Sequence, residues 1–190
     1  MKFSIETERL ILREMRFEDI DGLFELDSNP EVHKYLGNNC VKDIEQVKKI
    51  VTSVKQQYIE NGIGRWSMID KKSGEFIGWT GLKLVKETLN GHSDFYDLGY
   101  RLLQKYWGKG LATESALASL KYGFETLNLE IIYASAHIDN LQSNRILNKI
   151  GFQFVETYPY ESWTKNWYAL SWEHWLQINQ RQLISQLEKP

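Results

Sequence analysis

The residues with the clearest chemical potential lie at a turn in the middle of the chain. A strand-like segment ends at Leu103, and Trp107-Gly108-Lys109-Gly110 then leads into a helix that begins with Leu111-Ala112-Thr113. Glycines allow a backbone to turn its N–H groups outward, and the first amides of a helix have no acceptor within the helix. This arrangement favours an anion site, for example for a phosphate group. The same spacing also fits an ordinary tight turn between a strand and a helix.

Two phosphate-binding motifs do not match this turn. A P-loop needs Gly-Lys followed by Ser or Thr, whereas Lys109 is followed by Gly110. A dinucleotide-binding turn needs a third glycine at position 113, which is Thr here. That turn also opens the first strand–helix unit of a parallel sheet, whereas about half of this chain precedes Trp107. Both motifs are therefore excluded.

Composition limits the classes of protein that remain. The chain has 190 residues with 23 basic and 25 acidic side chains, and its net charge of −2 argues against a nucleic-acid partner. The single Cys40 excludes a disulfide framework and a multi-cysteine metal site, and the four histidines show no metal-ligand spacing. No apolar run approaches the roughly 18–20 residues of a membrane helix, and the first residues lack a signal-peptide pattern. We expect a cytoplasmic protein with no metal and no membrane partner.

Hydrophobic periodicity predicts the elements that position the turn. Strands are expected over residues 10–13, 66–69, 76–85, 95–103, 131–136, 152–155 and 167–172. Helices are expected over residues 17–26, 43–58, 111–127, 140–150 and 175–187. Gly78 and Gly81 within one strand indicate a bulge or a close backbone approach. The helix over residues 111–127 is expected to bury Leu117, Leu120, Phe124 and Leu127. The order of the elements predicts an α/β sandwich around a mostly antiparallel sheet, with residues 1–190 forming one domain.

The sequence resembles the GNAT N-acetyltransferase superfamily at five places in the same order. The turn from Trp107 to Glu114 is similar to the loop that holds the pyrophosphate of acetyl-CoA in that superfamily. The other similar stretches are residues 7–13, 17–20, 98–102 and 139–152. More narrowly, the chain resembles the RimJ/RimL branch, which includes ribosomal-protein N-terminal acetyltransferases. The resemblance covers about residues 6–173 and implies a mixed, mostly antiparallel sheet that is flanked by helices and splayed at the acyl-CoA site. A helical tail would follow over about 175–188.

The resemblance implies a site for acetyl-CoA, which is a co-substrate. The backbone of Tyr100, Arg101 and Leu102 would pair with the pantetheine arm. The loop residues Trp107, Gly108, Lys109, Gly110, Leu111, Ala112 and Thr113 would hold the pyrophosphate. We interpret the side chain of Trp107 as a structural plug, so that its backbone makes the phosphate contact. Asn140 would contact the pantetheine arm, and its position also fits a helix N-cap.

The reaction implied by the resemblance is direct attack of a neutral amine on the acetyl thioester. Many superfamily members protonate the leaving thiolate with a Tyr, but the matching residue here is Leu147, which cannot donate. Ser143 faces the same side of its helix as Asn140 and is the candidate acid. Asp97 is the candidate base, although a solvated carboxylate at a strand edge fits its position equally well. Cys40 has no plausible His partner, which disfavours nucleophilic catalysis.

The acceptor amine is left open by the sequence. A protein N-terminus or a small primary amine fits, with polyamines, drugs and amino acids as alternatives, and so does a non-catalytic acyl-CoA-binding module. At pH 7, deprotonation costs roughly 1.2 kcal/mol for a peptide α-amine of pKa about 7.9 and roughly 4.6 kcal/mol for a lysine amine near 10.4. The absence of an obvious strong base therefore favours a low-pKa amine. The C-terminal aromatic residues could line a groove, pack in the core or form the surface of a homodimer. They are Tyr158, Tyr160, Trp163, Trp167, Trp172 and Trp175. The sequence is equally compatible with a monomer.

Overall fold

A single twisted sheet organises the chain. The computed structural model describes residues 3–187, and it describes side chains over residues 3–180. The strands of this part of the chain are β1 (Ser4–Glu6), β2 (Leu10–Glu14), β3 (Trp66–Asp70), β4 (Phe76–Val85), β5 (Phe95–Leu102), β6 (Ile131–His137), β7 (Gln153–Tyr160) and β8 (Trp163–Ser171). They lie side by side in the order β1-β2-β3-β4-β5-β6-β8-β7. The helices are α1 (Ile20–Asp27), α2 (Pro30–His33), α3 (Ile44–Asn61), α4 (Leu111–Lys121), α5 (Leu141–Lys149) and α6 (Trp172–Leu187).

The sheet is antiparallel at every strand pair except β5 with β6. This confirms the mixed, mostly antiparallel α/β architecture that the element order predicted. The sequence pattern missed β1 and α2, which have only three and four residues. Elements of that length are shorter than the window over which a hydrophobic period can be recognised.

The segment that precedes α3 differs from the prediction of one helix over residues 17–26. A 3₁₀ turn over Phe17–Asp19 comes before α1, and Asn29 then starts α2. The side-chain oxygen of Asn29 accepts a hydrogen bond from the backbone N–H of Glu31 at 2.9 Å. Because a proline at the first helical position has a suitable fixed φ, Pro30 starts a new turn as well as following the end of α1.

The buried face of α4 is only partly as predicted. Leu120 and Phe124 are buried, but Leu117 is 38% exposed, so its predicted position is wrong. The buried stripe follows the four-residue spacing of Ala116, Leu120 and Phe124, and Leu117 lies to one side of it. The helix continues beyond Lys121 as a π-helical turn over Tyr122–Thr126.

The C-terminal third is a long hairpin followed by a helix. Strands β7 and β8 extend well beyond the predicted ranges, and α6 begins at Trp172, three residues before the predicted tail. The last predicted tail residue, 188, lies outside the described residues. Tyr158, Trp167 and Trp175 are buried, whereas Tyr160 and Trp163 line a surface cleft. The aromatic residues are thus divided between the core and a groove.

The sheet opens between β5 and β6. Strand β5 pairs with β4 over eight residues, but its ladder with β6 contains a single pair, Asp97 with Tyr133. The residues of β5 beyond Asp97 therefore present one backbone edge to the gap. On the opposite side, Gly78 has a φ of +156° and a Cβ there would lie 2.1 Å from the carbonyl oxygen of Arg101. The expected close approach is confirmed, and it holds β4 against the strand that borders the gap.

Candidate active site

The turn before α4 has the backbone of an anion site. Gly108 and Gly110 have φ values of +73° and +78°, a conformation that other residues rarely adopt. Gly110 caps α4 without a side-chain hydrogen bond, and the backbone N–H of Glu114 is bonded to the Gly110 carbonyl. The amides of Leu111, Ala112 and Thr113 precede the first helical hydrogen bond and sit at the positive end of the helix. All three belong to the predicted pyrophosphate loop.

The segment that precedes β2 holds this loop in place, a role that the sequence pattern did not indicate. The guanidinium of Arg9 donates to the carbonyl oxygen of Lys109 at 2.8 Å and to a carboxylate oxygen of Glu114 at 2.6 Å. The hydroxyl of Thr7 and the backbone N–H of Arg9 donate to the other oxygen of Glu114. Burial raises the pKa of Glu114, but these hydrogen bonds outweigh it and lower the pKa overall. The segment before β2 and the start of α4 are thus joined across the loop.

The side chain of Trp107 is used by the fold itself. Its indole N–H donates to the carbonyl oxygen of Leu102 at 2.8 Å, and the residue is 37% exposed. This contact agrees with the interpretation of Trp107 as a structural plug. It also engages one lone pair of the Leu102 carbonyl, and the Arg101 carbonyl faces Gly78 of β4, so that Tyr100 is the freest of the three predicted pantetheine positions.

The start of α5, which contains Asn140 and Ser143, contacts β5 at Tyr100. The side-chain oxygen of Asn140 accepts from the backbone N–H of Ser143 at 3.1 Å, which makes it the N-cap of α5. Oγ of Ser143 lies 3.1 Å from the hydroxyl oxygen of Tyr100. Burial raises the pKa of Tyr100 to about 12, so its hydroxyl is protonated at neutral pH. Strand alternation predicts the core-facing side of β5 for Tyr100, which it shares with Leu98, but it does not identify Ser143 as the partner.

Asp97 lies in an ion pair. One of its carboxylate oxygens accepts from Arg65, and the same guanidinium donates to the backbone carbonyls of Asp97 and Gly81. Gly99 leaves the space that this guanidinium occupies, since a Cβ there would lie 2.8 Å from Nη2 of Arg65. The Asp97 side chain is 23% exposed. Arg65 therefore fixes the position of a carboxylate that is still partly open to solvent.

A cleft of about 580 Å³ lies beside β5 and the β7–β8 hairpin. Arg101 points into it from β5, where its guanidinium stacks on Trp79 at 5.0 Å and donates to Asp27 at 2.5 Å. Lys165 lines the opposite wall, and burial lowers its pKa. The other lining residues are Tyr35, Leu36, Gly37, Asn38, Asn39, Tyr160, Glu161 and Trp163. Arg101 and Tyr100 are adjacent in the chain, so the cleft and the gap share one strand.

The histidines and the cysteine form no centre of their own. His33 is buried, with Nε2 at 3.4 Å from a carboxylate oxygen of Asp27, and burial lowers its pKa. Across residues 3–187, no group of three or more His, Cys, Asp or Glu side chains could hold a metal ion. Within the same part of the chain, every helix is too short or too polar to cross a membrane.

Comparison with known proteins gives consistent matches. A family model described as an acetyltransferase (GNAT) domain matches residues 9–153. The uncharacterized N-acetyltransferase p20 of Bacillus licheniformis is 35% identical over 150 residues, which cover 79% of this chain and 82% of that protein. A GNAT-family acetyltransferase structure from Bacillus anthracis has a TM-score of 0.74 and 27% identity, and covers 90% of this chain and 99% of its own. Vibrio cholerae spermidine N-acetyltransferase, in complex with CoA and spermine, has a TM-score of 0.71 over 88% of this chain and 98% of that chain. Its 17% identity indicates a shared fold only.

Proposed function

This chain belongs to the acetyltransferase (GNAT) domain family, and we propose that it acetylates a primary amine of low pKa by direct attack on acetyl-CoA. Acetyl-CoA-dependent N-acetyltransferase activity follows from the family and from relatives that are named as N-acetyltransferases. The proposal adds the type of amine and the residues that carry out the transfer. It treats residues 1–190 as one catalytic domain.

The observation that carries the proposal is the position of Ser143 at the splay of the sheet. The loop from Trp107 to Thr113 starts where β5 ends, and Ser143 bonds to Tyr100 within that strand. An extended thioester whose pyrophosphate occupies the loop would run along the free edge of β5 toward Ser143. Asn140, in the same helix turn, holds Ser143 at the start of α5 through its cap.

The reaction exchanges a C–S bond for a C–N bond. The amine nitrogen attacks the thioester carbonyl, the tetrahedral intermediate collapses, and the thiolate leaves with the bonding electron pair. Ser143 donates a hydrogen bond and then a proton to the sulfur, and the attacking nitrogen gives up one proton to Asp97 or to water. An equivalent proton returns to Ser143 from solvent, so that the products are the amide and the free thiol. Donation from the Tyr100 hydroxyl to Ser143 would strengthen as charge moves toward the sulfur. No covalent enzyme intermediate is required.

Removal of the amine proton sets the type of acceptor. Asp97 is the candidate base, and its carboxylate is also the ion-pair partner of Arg65. Because the α-amine of a peptide costs only roughly 1.2 kcal/mol to deprotonate at pH 7, a weak base or a chain of water molecules suffices. The α-amine of a protein N-terminus, as in the RimJ/RimL branch that the sequence resembles, is therefore the first candidate acceptor.

A small primary amine is the second candidate, and the cleft favours it. A volume of about 580 Å³ is of the size that accommodates small ligands. A non-catalytic acyl-CoA-binding module is disfavoured by the Ser143–Tyr100 contact, since binding alone does not need a donor near the sulfur.

The test is release of free CoA thiol from acetyl-CoA over a panel of N-terminal peptides, polyamines, amino acids and aromatic amines, with the acetylated product identified by mass. The proposal expects turnover with an α-amine or another low-pKa amine. Turnover with lysine side chains or polyamines alone would contradict it. Thermal stabilisation by acetyl-CoA without acetylation of any amine would support the non-catalytic module instead.

A further inference from the structure

The cleft beside β5 contains more positive than negative charge along its walls. Arg101 and Lys165 line it, and the acidic lining residue is Glu161, which is exposed in the turn between β7 and β8. Two further carboxylates lie near the cleft, but each is already committed. Asp27 accepts from Arg101 and Asp97 accepts from Arg65. An acceptor that enters the cleft therefore meets two cationic side chains and one exposed carboxylate.

Of the two cations that line the cleft, Lys165 and Arg101, the charge of Lys165 is the less compensated. Its ammonium lies 3.6 Å from the ring centre of Tyr160, and no carboxylate lies within 4.0 Å of it among the side chains of residues 3–180. Asp97 and Glu161 act on it only at longer range. A partly buried ammonium without an ion-pair partner is costly, and a cation–π contact offsets only part of that cost. The position is suited to an anion that arrives with a ligand.

Arg101 has donors left over. Its Nη1 group donates to Asp27, whereas Nε and Nη2 have no hydrogen-bond acceptor among the described residues. Its plane is held by the ring of Trp79, which also lies 5.5 Å from the guanidinium of Arg65. A fixed guanidinium with free N–H groups is suited to a carboxylate, which it can bind with two parallel hydrogen bonds.

We infer that the acceptor of this enzyme carries a carboxylate in addition to its amine, and that Lys165 and Arg101 bind that carboxylate. The inference rests on the proposed acetyl transfer and specifies its substrate class. Arg101 immediately follows Tyr100, so an anion held there lies within the length of a small molecule from the gap in the sheet. The same cations disfavour the ammonium form of the acceptor and any polyamine, because like charges repel within a partly buried cleft.

The test compares amines that differ only in the carboxylate. The full-length protein is assayed with phenylalanine against phenethylamine and with lysine against cadaverine. Two amidated tripeptides that begin with Glu or Gln distinguish a free amino acid from an acidic peptide N-terminus as the source of the carboxylate. We expect kcat/KM to be at least tenfold higher for the carboxylate member of at least one pair. Equal or better use of the decarboxylated or Gln-containing members in all pairs would overturn the inference.

Variants then assign the effect to the cleft. Lys165→Met keeps the length of the stem. It is expected to lower about tenfold, through KM, the ratio of kcat/KM for the carboxylate member to that for its partner in the preferred pair. Lys165→Arg should retain most of this ratio. Lys121→Met removes an exposed lysine of α4 outside the cleft and should leave the ratio unchanged. Melting temperatures confirm folding. An unchanged ratio in Lys165→Met would overturn the assignment to this cleft. Failure to acetylate any panel member, with acetyl-CoA still bound, would instead contradict the proposed function itself.

Discussion

The hydroxyl oxygen of Tyr100 lies 3.1 Å from Oγ of Ser143, and this contact joins the strand that borders the gap to the first turn of α5. The same hydroxyl lies 3.3 Å from the backbone carbonyl of Ser143. Because burial keeps the pKa of Tyr100 high, the phenol keeps its proton at neutral pH and has an O–H group to donate. The two hydroxyls can act as a chain of donors that ends at the sulfur of a bound thioester.

Ser143→Ala should lower turnover about 10- to 100-fold, at the lower end of acid–base effects, with little change in acetyl-CoA affinity. The hydrogen bond to sulfur strengthens only as negative charge develops, so it contributes to the transition state. Single-turnover rates under conditions where chemistry is limiting measure this effect. The loss should shrink with an acyl donor whose thiol has a lower pKa. Unchanged turnover would mean that water protonates the thiolate.

Tyr100→Phe should also lower turnover, but by less than Ser143→Ala, because Tyr100 acts through Ser143. The double variant provides the control. If both residues belong to one chain of donors, the double variant should be no slower than Ser143→Ala alone. Independent, multiplying losses would show that Tyr100 acts on the substrate by another route. The loss of one hydrogen bond should cost about 1 kcal/mol of folding stability.

Arg9→Met should weaken acetyl-CoA binding severalfold without changing the use of acetyl-pantetheine. Arg9 fixes the loop through Lys109 and Glu114, and its charge lies beside the amides that we propose to bind the pyrophosphate. Acetyl-pantetheine lacks the pyrophosphate and should not report on this contact. Lys48→Met, in the exposed face of α3, is the matched loss of a surface charge. Equal losses with both donors would assign Arg9 a role in overall stability instead.

Long periodic elements and the loop were predictable from sequence, whereas the partners of the site residues were not. The helix from Asp43 was recognised because Val47, Val51 and Val54 repeat on one face, and its cap bonds to Gln46 as expected for such a start. The glycines at 108 and 110 indicated the turn through their backbone freedom. In contrast, Arg9 meets Glu114 across 105 residues of sequence, and Arg65 meets Asp97 across 32. Local spacing carries no information on contacts that only the assembled sheet creates.

Gly110→Asp should reduce the rise in melting temperature that we expect acetyl-CoA to produce in the wild-type protein. A carboxylate at this position repels the pyrophosphate, and binding should fall at least tenfold, or roughly 1.4 kcal/mol. Gly110→Asn shares the strain of a residue at positive φ without the charge, so the difference between the two variants isolates electrostatics. Gly74→Asp, in the turn between β3 and β4, controls for strain elsewhere. Retained binding in Gly110→Asp would place the pyrophosphate away from this loop.

Asp19→Asn should destabilise the fold by roughly 3 kcal/mol at pH 7, because it leaves Arg13 partly buried without its carboxylate. Burial raises the pKa of Asp19, but donation from Arg13, Ser67 and the backbone of Arg16 outweighs it, so the pKa in the folded state lies below the unfolded value. Such a carboxylate stabilises the fold at pH values above about 4, its unfolded pKa, and that stabilisation is lost as the pH falls through the folded pKa.

The gap in free energy of unfolding between wild type and Asp19→Asn, measured by denaturant unfolding, should therefore be constant from pH 7 to 5 and narrow toward pH 3. Glu18→Gln, an exposed neighbour, should stay within about 0.5 kcal/mol of wild type. A gap that does not narrow in acid would show that the loss comes from the shape of the site and not from the charge of Asp19.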